Sequence, residues 1–243
     1  MNSCYAYPTG RWGLWDIGWF VLIVIGTIVV SALALIPLVL VFPEALDGAD
    51  VDGSAAAGAW LLALSQLLFF AGMAAWPLIV GAWKADGWRR AYGFVVTWRA
   101  TWVGLVGGLA TLVAMTLLTN LTAELLDRDI NSAGAEVAVT MTGSNAAYVL
   151  FLLLIAFGAP FVEEISFRGL VWGAVVKRGW SPWIATLVAA VPFALLHVEP
   201  LRVAPLLAAG LVLGVVRQFG GLSGAMLAHA VVNVIGVIGI MAS

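Results

Sequence analysis

Apolar runs long enough to cross a bilayer recur along almost the whole of this chain, and they leave few folds open to it. A helix needs about 20 mostly apolar residues to span the hydrocarbon core. Runs of that kind fall near residues 18–42, 59–83, 100–122 and 146–176. Shorter ones follow near 182–198, 202–217 and 222–241. In lipid every backbone polar group must be satisfied internally, so runs of this length read as helices. The predicted fold is an all-α integral membrane protein, a polytopic bundle of about seven transmembrane helices. The fourth run is too long for a straight span and contains Gly158-Ala159-Pro160, so a kinked long fourth helix is expected. Of the 243 residues 63% are hydrophobic and 10% charged, against about 25% charged in soluble domains, which excludes a soluble class.

The N-terminal run needs one distinction. Ser31-Ala32-Leu33-Ala34 has the look of a signal-peptidase site. The apolar run continues to Val41-Phe42, past a signal h-region of about 7–15 residues, so it reads as a retained first span. Cys4 is the only cysteine, which excludes intramolecular disulfides and thiolate metal clusters. No basic tail suggests nucleic-acid binding.

Charge alternates from loop to loop. Arg11, Lys84, Arg89, Arg90, Arg99, Lys177, Arg178 and Arg217 mark one side. Glu44, Asp47, Asp50, Asp52, Glu124, Asp127, Asp129, Glu136 and Glu199 mark the other, with only Arg128 and Arg202 among them. The positive-inside rule puts the N-terminus in the cytoplasm, and seven spans then put the C-terminus outside. Trp12, Trp15, Trp19, Trp83, Trp88, Trp98, Trp102, Trp180 and Trp183 fall near the basic ends and read as an interfacial belt. Gly104/Gly108, Gly169/Gly173 and Gly210/Gly214 have the spacing of close helix packing. The chain divides into a three-span N-terminal region, 1–145, with acidic outer loops, and a core, 146–243, within one membrane domain.

The chemistry lies in that core. From Ala146 to Ser243 the only acids are Glu163, Glu164 and Glu199, and the chain's two histidines, His197 and His229, are both there. A charge at a helix centre costs about 2.5–3.5 kcal/mol on insertion scales, so such groups default to a functional reading. Glu164 and Arg168 are four apart, share a helical face and can pair. Glu163 lies about 100° away and is free to face another helix. An unpaired, desolvated Glu163 suits a general base. The plainer alternative is that both glutamates brace helices through Arg168. Phe193 and His197 form one stripe, and His229 and Asn233 another. Measured from Lys177, Ser181 and Arg217, the residues Glu163, His197 and His229 lie ~21, ~24 and ~18 Å along their helices, which lets them meet at one level. Such a set can hydrolyse an acyl bond without metal, Glu163 and His197 taking a proton from water and His229 and Asn233 holding an oxyanion. It can equally ligate Zn²⁺ through Glu163, His197 and His229. H-E-x-x-H is absent. Ser166 has no activating histidine at helical spacing.

Glu163-Glu164-Ile165-Ser166-Phe167-Arg168, Phe193 to His197 and His229 to Asn233 reproduce, in order, E-E-x-x-x-R, F-x-x-x-H and H-x-x-x-[ND]. At these residues, over about 146–241, the chain resembles the CAAX-protease and bacteriocin-processing (CPBP, or Abi) family of intramembrane proteases, related to type II CAAX prenyl endopeptidases. The resemblance implies a cavity between membrane helices and peptide-bond hydrolysis by water. Glu163 acts there with His197, His229 and Asn233 hold the oxyanion, and Glu164, Arg168 and Phe193 support them. It implies a membrane-embedded or lipidated protein or peptide substrate, the lipid bilayer as environment, and a bacterial plasma membrane as location. Members are described both as metalloproteases and as metal-free glutamate enzymes, so no cofactor is firmly implied and a divalent metal such as Zn²⁺ stays open. Two other classes compete: a scaffold or bacteriocin-immunity protein on the same fold, and a proton-coupled transporter. The second would favour matching halves, and none is evident in the sequence.

Overall fold

The computed structural model describes residues 8–41, 54–141 and 145–242. Cys4 and the acidic positions Glu44, Asp47, Asp50 and Asp52 lie outside the described residues. The described elements are helices: α1 (Leu14–Val41), α2 (Ser54–Lys84), the short α3 (Trp88–Ala91), α4 (Trp98–Leu126) and α5 (Ala133–Thr140). One long rod follows over 145–177, made of α6 (Asn145–Leu153), a π-helical stretch (Leu154–Gly158), α7 (Ala159–Glu163), a second π-helical stretch (Glu164–Val171) and α8 (Trp172–Lys177). Then come α9 (Pro182–Leu196), a 3₁₀ turn (Pro200–Arg202) and α10 (Val203–Ala242). The sequence places the helix starts. Thr97 Oγ1 accepts from Ala100 N–H at 3.0 Å ahead of α4. Ser181 Oγ accepts from Ile184 N–H, with Pro182 at the first helical position of α9.

Among the described residues, length and composition single out five helices able to cross a membrane: Leu14–Leu33, Ala56–Lys84, Trp98–Leu126, Asn145–Lys177 and Pro200–Ala242. The difference from the seven predicted spans has two sources. Helix α9 has 15 residues, or ~22 Å at 1.5 Å each, short of a full hydrocarbon core. The last two predicted spans both fall within α10 and are separated at Gly221, whose φ of 72° and ψ of −174° are non-helical. Only glycine adopts that conformation without strain. The irregularity expected at Gly158-Ala159-Pro160 takes the form of π winding.

Glycine lets α4 lie close along α10. A Cβ added at Gly104 would sit 2.8 Å from the Gly224 carbonyl oxygen, and one at Gly108 would sit 2.8 Å from that of Ala228. Gly210 and Gly214 meet Ala190 and Thr186 of α9 in the same way, and Gly169 and Gly173 meet Tyr92 and Trp12. All three spacings therefore pack within the chain, as the sequence suggests. Gly108→Ala forces a methyl group against a backbone oxygen that cannot step aside. It is expected to destabilise the fold by about 1–3 kcal/mol, read as a lowered Tm in detergent.

The basic segments gather at one end. Arg11 N–H donates to the Lys84 carbonyl at 2.7 Å. Lys177 Nζ donates to Gly10 O at 2.7 Å, and Arg99 Nε to Phe219 O at 3.1 Å. Asp16 is buried and pairs with Lys84. Two residues depart from the sequence reading. Trp12 is not part of an exposed belt: it is buried, edge-on to Tyr92 with ring centroids 5.1 Å apart, and the Lys177 ammonium lies 4.2 Å from its ring. Trp15, Trp83 and Trp98 do face outward. Arg217 is not a loop charge but is fully buried. Tyr92, which donates to the Pro77 carbonyl at 2.7 Å, anchors the α3 corner. Burial first, and then the Asp16 charge, push its phenol above the ordinary tyrosine range.

Candidate active site

The three motifs meet. Glu164 and Arg168 sit one turn apart in the second π-helical stretch, both with fully buried side chains, and Arg168 Nη1 donates to Glu164 Oε1 at 2.9 Å. Arg168 Nη2 donates to the Gly210 carbonyl of α10 at 3.0 Å. Two charges buried together are tolerated only when paired and hydrogen-bonded, and the pair meets that condition. Its i,i+4 pairing is the one the sequence predicts.

Glu164 has a second partner that the sequence reading did not include. His229 Nδ1 lies 3.0 Å from the same Glu164 Oε1. Beside a carboxylate that nitrogen carries the proton, which leaves Nε2 on the far side of the ring. Nε2 lies 3.8 Å from Glu163 Oε2. That separation is too long for a direct hydrogen bond and is the kind a water bridges. Glu163 Oε2 is buried and has no hydrogen-bond partner of its own. Arg168, Glu164, His229 and Glu163 thus form a row of polar groups, ending on a carboxylate oxygen with no hydrogen-bond partner.

His197 closes α9 as its C-cap, and its Nδ1 lies 2.8 Å from the Phe193 carbonyl. A carbonyl only accepts, so Nδ1 donates and Nε2 keeps its lone pair. The next residue, Val198, has a φ of 54°, an uncommon conformation for a β-branched side chain. The imidazole of Glu163's nearest ion-pair contact is therefore that of His229, whereas the sequence paired Glu163 with His197. Phe193, which alone reads as core, ties the motifs together. Its ring centroid is 5.0 Å from that of His197 and 5.8 Å from that of His229, and the Arg168 guanidinium lies 4.4 Å from it. Asn233 donates from Nδ2 to the Ile155 carbonyl at 2.8 Å. Ser166 turns away, donating to the Met73 carbonyl of α2 at 3.3 Å.

Arg217 is a supporting residue that the charge pattern misassigned. It donates from Nε to the Arg168 carbonyl at 3.0 Å and from Nη2 to the Tyr92 carbonyl at 2.8 Å, and it stacks over Trp172 at 4.7 Å. It braces the stretch that carries Glu164. The available signal was a lone basic residue within the apolar run of α10.

The zinc ligands the sequence leaves open are Glu163, His197 and His229, and of these only Glu163 and His229 approach within ion-pair distance, at 3.8 Å. Among the described residues no group of three or more His, Cys, Asp or Glu is arranged to hold a metal.

Comparison with curated proteins and with solved structures gives no match. Residues 145–235 match the family model described as type II CAAX prenyl endopeptidase Rce1-like. That stretch contains all three motifs and the row of groups described above. Over this segment, well under half of its length, the chain is similar to the type II, Rce1-like CAAX prenyl endopeptidases.

Proposed function

We propose that this protein is an intramembrane endopeptidase that cleaves a prenylated, membrane-held peptide near its C-terminus, using water activated by Glu163 and His197. The observation that carries the reading is the buried, unpartnered Glu163 Oε2, 3.8 Å from a histidine whose other nitrogen is fixed by a paired glutamate. Unsatisfied buried polar atoms are rare in native proteins and call for a reason. A water between Glu163 and His197 Nε2 gives one proton to the carboxylate, donates a hydrogen bond to the imidazole, and attacks the scissile carbonyl carbon. The oxyanion that forms takes a hydrogen bond from the His229 ring, whose orientation Glu164 fixes through Nδ1. Asn233 supplies a second N–H. Glu163 then passes its proton to the leaving amine as the C–N bond breaks.

The exposed apolar faces of the long helices suit lateral entry of a lipid-modified substrate. The basic end faces the cytoplasm under the positive-inside rule. No step is routed through a metal.

The test uses purified protein in lipid nanodiscs and two peptides of one sequence ending in C-A-A-X, one farnesylated and one not. Release of the last three residues from the prenylated peptide alone is expected. Equal cleavage of both would reject prenyl recognition, and cleavage of neither would reject the reading. Pre-incubation with a strong zinc chelator is expected to leave the rate within about twofold of the untreated protein, since general acid–base groups alone supply the chemistry. A loss of activity that added zinc restores would contradict the metal-free mechanism.

A further inference from the structure

The hydrogen bonding of the long rod 145–177 assigns a role to a residue outside the three motifs. Through the first π-helical stretch the main chain bonds five residues back, so Ala159 N–H donates to the Leu154 carbonyl. The next donor in that register is residue 160, aimed at the Ile155 carbonyl. Residue 160 is proline and has no N–H. The α-helical donor to Ile155 would be Ala159, which is engaged with Leu154. The Ile155 carbonyl is therefore left without a regular main-chain partner. At membrane depth lipid offers it none. Asn233 Nδ2 fills the place at 2.8 Å.

Asn233 lies one helical turn beyond His229 on α10. Its amide nitrogen carries two N–H bonds, so anchoring one on Ile155 fixes the plane of the carboxamide and leaves the second free to donate. Pro160, three residues before Glu163, thus bears on Asn233 through the Ile155 carbonyl.

We infer that Pro160 is a positioning residue: by withholding an N–H from the Ile155 carbonyl it reserves that oxygen for Asn233 and so sets the carboxamide one turn from His229. The catalytic part of this inference rests on the endopeptidase reading; the hydrogen-bond part does not. Pro160→Ala supplies the missing N–H, which then competes with Asn233 for the Ile155 carbonyl or restores α-helical winding.

The experiment is a double-mutant cycle of Pro160→Ala and Asn233→Ala on the full chain in nanodiscs, read by Tm and by kcat and KM on the prenylated peptide. Asn233→Ala is expected to lower Tm by several degrees in the native background, because it orphans a carbonyl. In the Pro160→Ala background the drop is expected to be less than half as large, because residue 160 now serves that carbonyl. Pro160→Ala alone is expected to lower kcat about tenfold with KM unchanged, a fraction of what loss of an oxyanion donor costs. The double variant is expected to be no slower than Asn233→Ala. Additive Tm changes would overturn the inference whatever the activity does. An unchanged kcat in Pro160→Ala would overturn the positioning role. Absence of cleavage by the native protein would reject the endopeptidase reading, while the Tm cycle would still decide the hydrogen-bond inference. Pro160→Ser restores the same N–H and is expected to reproduce each result; disagreement between the two variants would count against the inference.

Discussion

Glu163→Gln is expected to lower kcat for cleavage of the prenylated peptide by about 10²–10⁴-fold, the usual contribution of a positioned general base. The substitution keeps the size and shape of the side chain and removes only its ability to take a proton. Glu163 Oε2 has no hydrogen-bond partner, so no hydrogen bond through that oxygen is lost with the charge. KM is expected to change little, since Glu163 acts on water and not on the prenyl group. Tm is expected to hold, and a folded, inactive variant is the informative outcome. Full activity in that variant would leave the three motifs as a brace between helices and nothing more.

Arg168→Met is expected to give the largest loss of stability, about 3–5 kcal/mol, because removing one member of a buried ion pair strands the other. Both side chains are fully buried, and Arg168 also ties the rod to α10 through Gly210. Stability would be read as the midpoint of unfolding in mixed micelles. The double variant Glu164→Gln with Arg168→Met is expected to recover part of that loss, since it leaves no stranded charge. It is not expected to recover cleavage, because Glu164 also holds His229 Nδ1. Equal destabilisation by the single and double variants would mean that packing around Phe193, and not the charge pair, accounts for the loss.

Much of this architecture is legible in the sequence because lipid imposes a simple rule: apolar runs become helices. The ends of α2, α4 and the 145–177 rod fall within a few residues of the apolar windows for that reason. Span number is less legible. Hydropathy registers a pause at Gly221, and the backbone breaks there, with non-helical φ and ψ between two helical segments; it is the short α9 that length alone does not count as a span. Charge patterns mislead where a charge is buried. Arg217 carries the same formal charge as Arg178, but its partners are carbonyls from distant elements, which spacing along the chain does not reveal.

The site shows the same division. Pairing of Glu164 with Arg168 follows from one-turn spacing and is found. Contacts between helices do not follow from spacing. Spacing lets Glu163, His197 and His229 meet at one level, but which imidazole approaches which carboxylate depends on helix rotation. Rotation in turn depends on the two π-helical stretches, and the first of these is linked to a missing N–H at Pro160 and a carboxamide 73 residues further along. No local pattern encodes that.

The most direct test of hydrolysis by Glu163-activated water is cleavage of the farnesylated peptide in H₂¹⁸O, read by mass spectrometry of the prenylcysteine product. Native protein is predicted to place one ¹⁸O in the new carboxylate, and Glu163→Gln is predicted to yield no labelled product above background. Labelled product formed at equal rates by both proteins would contradict the account.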